Sequence, residues 1–189
     1  ADLARACGAE VPWLRPDALA ADGHDACFNL GGAGFYSLNT RIQRQRAPQR
    51  QAYRLVELQR FSQRLNVPLN LKPKYFPVGG DDSARLIIAA DLALGPLAAM
   101  KIAGAILTAC WAQERNMADD KVLAELLQEQ DLPASLMTQS QSQAVQERYE
   151  SYTQAAIDAG VFGAPSYVVE GEIFWGQDRL DFLERALTS

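Results

Sequence analysis

Apolar positions return along this chain at two different periods, and the change of period divides it. From about Pro48 to Leu65, the residues Tyr53, Val56, Leu58, Phe61 and Leu65 recur at helical spacing. That predicts an amphipathic helix, which Asn66-Val67-Pro68 ends. Residues 69–82 read as loop with an extended stretch. Helices follow near 83–93 and 96–115, a third runs from a cap at Asp119 or Asp120 to about residue 129, and a fourth fills roughly 141–158 before Gly160. The period then shortens. SYVV and EIFW are β-rich runs joined by Glu170-Gly171, which predicts a two-residue hairpin. RLDFLERAL goes back to helical spacing, with Leu180, Leu183 and Leu187 on one side.

Upstream of Pro48 the pattern is shorter-ranged. Residues 1–7 read as the last turns of a helix stopped by Gly8, and residues 9–14, AEVPWL, as a short strand despite Pro12. From Asp17 to Thr40 the chain turns to Gly, Asp and Asn, a connecting region. The order is therefore α-β, a long helical middle, then β-β-α. A helical block inserted into a small α/β domain explains that order better than two independent domains. The boundaries are 1–40 with 160–189 for the α/β part and 41–159 for the insertion.

Composition narrows the possibilities. A chain of 189 residues with 48% hydrophobic and 22% charged residues lies in the ordinary globular range. The net charge of −5 argues against a nucleic-acid partner, which needs clustered excess Lys and Arg. The apolar stretch ARLIIAADLALGPLAAMKIAGAILTACW is interrupted by Asp91 and Lys101 and cut at Gly95-Pro96, so it predicts two buried helices and no membrane span. ADLARACGAE lacks the apolar core of a secretion signal. Cys7, Cys27 and Cys110 are far apart, and no C-x-x-C pair or zinc-ligand spacing exists. No metal is expected, and a reducing cytoplasm is the simplest setting. His24 sits in a polar stretch with no nameable partner. The run RIQRQRAPQRQAYR brings Arg41, Arg44, Arg46, Arg50 and Arg54 together. It reads as a solvated connection, or as the source of one guanidinium anchoring an anionic substrate.

The stretch from Phe162 to Leu187 carries the sharpest chemistry. Pro165 stands at the head of a strand, where its missing N–H suits a sheet end. If its peptide bond is cis, Ala164 turns its backbone outward to pair with an extended peptide. Gly176 releases the second strand, and Gln177-Asp178 then opens the last helix, where free N–H groups attract a carboxylate. Asp178 either holds an ammonium or caps the helix with Asp181 returning to it. Phe174 and Trp175 flank this place and are expected to pack.

GVFGAPSYVVEGEIFWGQDRLDFLERAL resembles the C-terminal signature of the 2-hydroxychromene-2-carboxylate isomerases, relatives of the kappa-class glutathione transferases. AYRLVELQRFSQRLNVPLN and ERYESYTQAAIDAGVFG resemble the helices that lead into and out of that family's insert. The resemblance implies an α/β fold: a thioredoxin-like, DsbA-type domain with an inserted all-helical domain. It implies glutathione as cofactor, lying with its cysteinyl part against Ala164 and Pro165 and its γ-glutamyl end on Gln177 and Asp178. The implied reaction isomerises a small aromatic carboxylate by reversible addition of a thiolate, in a cytoplasmic homodimer with no nucleic-acid or membrane partner.

The match weakens toward the start. The family's pocket serine follows a first strand that lies upstream of this chain, so roughly twenty further natural residues are expected by analogy with a βα unit. In GAGFYSLN, Asn39 falls at the family's asparagine position, while an aromatic, Phe35 or Tyr36, stands near its lysine. Asn39 is thus the catalytic candidate within the chain. The competing readings are a kappa-like transferase, a DsbA-like thiol-disulfide oxidoreductase whose C-x-x-C lies upstream, and a non-catalytic scaffold.

Overall fold

The structure, a computed structural model, describes residues 26–27, 47–162 and 165–188. The elements expected at 1–7 and 9–14 lie outside these residues, as do His24, Asn39, Arg41, Arg44, Arg46 and Ala164. The first described element is a strand, β1 (Ala26–Cys27), inside a stretch whose Gly and Asp content had suggested only connection. Two residues are too few for a period to register.

Six helices follow. Helix α1 (Pro48–Leu65) starts with proline at its first turn, where the missing N–H costs nothing, and stops at Asn66 in the left-handed conformation (φ 53°). Helices α2 (Asp81–Leu94) and α3 (Pro96–Trp111) are separated by Gly95, whose φ of 88° suits a residue without Cβ. They pack on one another and bury Leu86, Ile88, Ala90, Ile102, Ile106 and Ala109. The stretch that resembles a membrane span is thus the centre of the helical core. Helix α3 ends four residues before the expected limit: Ala112 departs from helical geometry at a φ of −122°, and Glu114 then adopts a left-handed φ of 56°.

Helix α4 (Asp120–Glu129) is capped by Asp119, whose carboxylate accepts from the Lys121 amide at 2.9 Å. Arg115, just beyond α3, reaches Glu125 and Glu129 on α4, each at 3.0 Å. A five-residue helix, α5 (Ser135–Gln139), has no counterpart in the sequence reading; it sends Leu136 into the same core. Helix α6 (Gln143–Asp158) begins at the Ser142 cap and belongs to two cores. Val145, Tyr149 and Tyr152 pack on the helical cluster, while Ala156 joins Val161 and Val168 beneath the sheet.

Strands β2 (Ser166–Val169) and β3 (Glu172–Trp175) form the expected hairpin around Glu170-Gly171, both at positive φ. The sheet order is β1-β2-β3, antiparallel throughout, with Ala26 opposite Val168 and Ser166 opposite Trp175. A 3-10 turn (Gln177–Arg179) then leads into α7 (Leu180–Thr188). Its packed stripe is Leu180, Leu183 and Ala186 against Tyr167 and Phe174. Leu187, expected on that stripe, is exposed, because Ala186 rather than Leu187 continues the three-residue step. Among the described residues no helix is long and apolar enough to cross a membrane.

Candidate functional site

The two ends of the hairpin meet. The Gly176 amide donates to the Pro165 carbonyl at 2.9 Å, one step beyond the Ser166–Trp175 pair. This bond places the head of β2 beside the turn that carries Gln177 and Asp178. Ala164, the other half of the expected peptide-pairing edge, lies outside the described residues.

Gly176 takes a φ of 107°, a conformation closed to ordinary side chains. The chain reverses there and enters a 3-10 turn, so Gln177 and Asp178 precede α7 instead of opening it directly. Gln177 is half-buried and Asp178 exposed. The Asp178 carboxylate is engaged by its neighbour: Arg179 Nη1 donates to Asp178 Oδ2 at 2.7 Å and to the Asp178 carbonyl at 3.1 Å. Sequence reading weighed Asp178 as an ammonium acceptor or a cap, and gave Arg179 no part. An ion pair between adjacent residues has no spacing signature, so only the turn geometry reveals it.

The two aromatic residues divide. Phe174 is buried between Tyr167 and Leu183, whereas Trp175 is 48% exposed and does not pack as expected. Its ring lies edge-on to that of Phe162, with centroids 4.9 Å apart, and Phe162 is 58% exposed. The alternation of a strand accounts for this: Phe174 faces α7, so Trp175 must face the other way. An acidic carboxylate beside a guanidinium, next to an open aromatic pair, can receive a zwitterionic amino-acid group.

Among the described side chains, Cys110 offers no nucleophile at this site. It is buried in α3, and burial, helped by the Glu114 carboxylate, pushes its thiol up to about 11. Among the described residues no three His, Cys, Asp or Glu side chains gather as metal ligands.

A model of the DSBA-like thioredoxin domain matches residues 28–188. The chain belongs to that family. Its DSBA-like fold carries helices α1 to α6 ahead of the closing β2-β3-α7 unit. Within the family, the chain is 33% identical over 138 residues to a 2-hydroxychromene-2-carboxylate isomerase of Pseudomonas putida, covering 71% of this chain and 64% of that protein. It is 52% identical over 46 residues to an isomerase of the same name from Sphingobium xenophagum, 24% of each chain. The solved structure of selenomethionine 2-hydroxychromene-2-carboxylate isomerase (HCCA isomerase) superposes with a TM-score of 0.57 at 26% identity, covering 72% of this chain and 65% of that one.

Proposed function

We propose that this DSBA-like chain is an isomerase of 2-hydroxychromene-2-carboxylate-type aromatic acids that uses glutathione as cofactor. The observation that carries the reading is the 2.9 Å Gly176–Pro165 bond, which sets a strand head beside a charged turn. The names of the relatives supply the reaction.

The residues present suit glutathione. Its γ-glutamyl end is a zwitterion, and the Asp178–Arg179 pair, 2.7 Å apart and half exposed, offers a carboxylate to the ammonium and a guanidinium to the carboxylate. Half-buried Gln177 adds an amide that can donate and accept. Pro165 gives no N–H to the sheet and its carbonyl is taken by Gly176, so in this reading Ala164 would supply the backbone that pairs with the middle of an extended peptide. When bound, glutathione supplies a thiolate able to add to a conjugated ring system and leave again, which permits rotation about the former double bond. The chain's part is to hold the peptide by both ends, so that the sulfur meets the substrate in one orientation.

The test is calorimetry with glutathione on the parent and on Asp178→Ala, followed by an absorbance assay of chromene carboxylate isomerisation with and without glutathione. Saturable binding that weakens in the variant, and turnover that needs glutathione, support the reading. Turnover that is equally fast without glutathione removes the cofactor from it. Absence of binding by the folded protein removes the cradle.

A further inference from the structure

The two chain segments that meet at the Gly176–Pro165 bond are led in by the same pair of residue types. Phe162-Gly163 stands ahead of Pro165, and Trp175-Gly176 stands ahead of Gln177 and Asp178. A glycine has no side chain to anchor, so the ring before it is the nearest side-chain hold on the backbone that follows. Those two rings touch, edge to face, with centroids 4.9 Å apart and planes at 63°. Neither belongs to the buried clusters of the described residues, which take Val161 and Val168 under the sheet and Tyr167, Phe174 and Leu183 against α7. With Phe162 58% and Trp175 48% exposed, the pair buries less apolar surface than the core rings do. Its contribution is to the geometry of this end of the hairpin more than to the core.

We infer that Phe162 and Trp175 are positioning residues, whose ring contact clamps the approach to β2 onto the end of β3 and so holds the Asp178–Arg179 turn in place for its ligand. The Gly176 amide and the Pro165 carbonyl, 2.9 Å apart, join the segments through the backbone at the open end of the hairpin, beyond the Ser166–Trp175 pair. The end of a ladder opens more readily than its interior. The rings add a second tie through side chains, immediately before Gly176. Trp175 faces away from α7, so that tie acts from the side the helix does not cover. An edge-to-face pair shifts an equilibrium by about three- to tenfold beyond its buried area. Opening would also release Gly176 from its φ of 107°, and with it the direction in which Asp178 leaves the strand. The inference rests on the proposed function for the identity of the ligand, glutathione; the clamp itself rests on the rings.

Two readouts on the full chain test it: hydrogen exchange of the Gly176 amide by NMR, and the glutathione Kd by calorimetry. The Leu183 amide in α7 reports global opening. In Phe162→Ala and in Trp175→Ala, Gly176 exchange is expected to rise about three- to tenfold while Leu183 exchange stays put, with Kd weakened by a similar factor. The double variant should be no worse than either single one, because each removes the same contact. Trp175→Phe keeps a ring against Phe162 and should restore both readouts, and Leu97→Ala, an exposed apolar truncation elsewhere, should leave both unchanged. Parental Gly176 exchange in the ring variants, an equal rise at Leu183, or faster Gly176 exchange with a parental Kd would overturn the positioning role. If the parent itself binds no glutathione, the proposed cofactor falls, and Gly176 exchange still decides whether the rings form the clamp. Should the alanine variants fail to fold, Phe162→Leu, which keeps apolar bulk and loses the ring, decides by the same two readouts.

Discussion

Asp178 Oδ1 lies 2.5 Å from the point that a Cβ on Gly176 would occupy. Added to a φ of 107°, this makes Gly176 irreplaceable twice over, by its own backbone and by its neighbour's carboxylate. Gly176→Ala is expected to cost about 1–3 kcal/mol of stability from backbone strain. It should also displace Asp178 and weaken glutathione binding. Urea unfolding and calorimetry check the two effects separately; a variant with parental binding would show that Asp178 does not hold the ligand.

Arg179 allows a different separation. Its pair with Asp178 is half exposed on both sides, so Arg179→Gln should change stability by less than about 0.5 kcal/mol. If the guanidinium receives the ligand's carboxylate, glutathione binding falls about tenfold in the same variant. An unchanged Kd would place Arg179 outside the cradle.

Cys110 gives a pH dependence with a definite sign. Burial raises its thiol from 9.0 to about 11, so below 9 the folded and unfolded chains hold the same proton. Between 9 and about 11 the unfolded chain releases it and the folded chain does not, so stability falls with rising pH across that window. Cys110→Ala should flatten this part of the profile, measured by urea midpoints at each pH. In the folded parent, Cys110 should also resist alkylation at neutral pH, read by peptide mass mapping.

The helical core should dominate stability. Leu127 is fully buried, and Leu127→Ala is expected to cost about 2–5 kcal/mol through lost burial and a cavity. Leu97, 73% exposed at the α2–α3 corner, provides the contrast: Leu97→Ala should stay within about 0.5 kcal/mol. Equal losses at the two positions would contradict the packing described.

Much of the fold was legible because local chemistry and tertiary structure agree. Pro48 and Asn66 bracket α1, Gly95 breaks the long apolar stretch, and Glu170-Gly171 turns the hairpin, each by its own backbone preference. The failures share a cause as well. The five residues of α5 are too few to display a period, and α3 ends at Trp111, ahead of a left-handed Glu114 that no residue-type signal announces. The face of α1 was read correctly as amphipathic, yet Tyr53, Val56 and Leu65 stay exposed, because periodicity reports an apolar stripe without reporting what covers it. At the candidate site, Pro165, Gln177 and Asp178 could be named from their residue types. The contacts of Phe162 with Trp175 and of Arg54 with Phe76 join positions whose distance apart only the folded chain sets.

Helix α6 is unbroken across 16 residues, with one end seated in the helical core and the other under the sheet. At a rise of about 1.5 Å per residue it is a rod of about 24 Å, and a tilt of about 5° at the sheet end moves the far end by about 2 Å. A helix with no glycine or proline along that length has no place to absorb such a tilt by kinking. Displacement of the hairpin is therefore passed mechanically to Tyr149 and Tyr152 and to the helices they touch, with α6 as the lever arm.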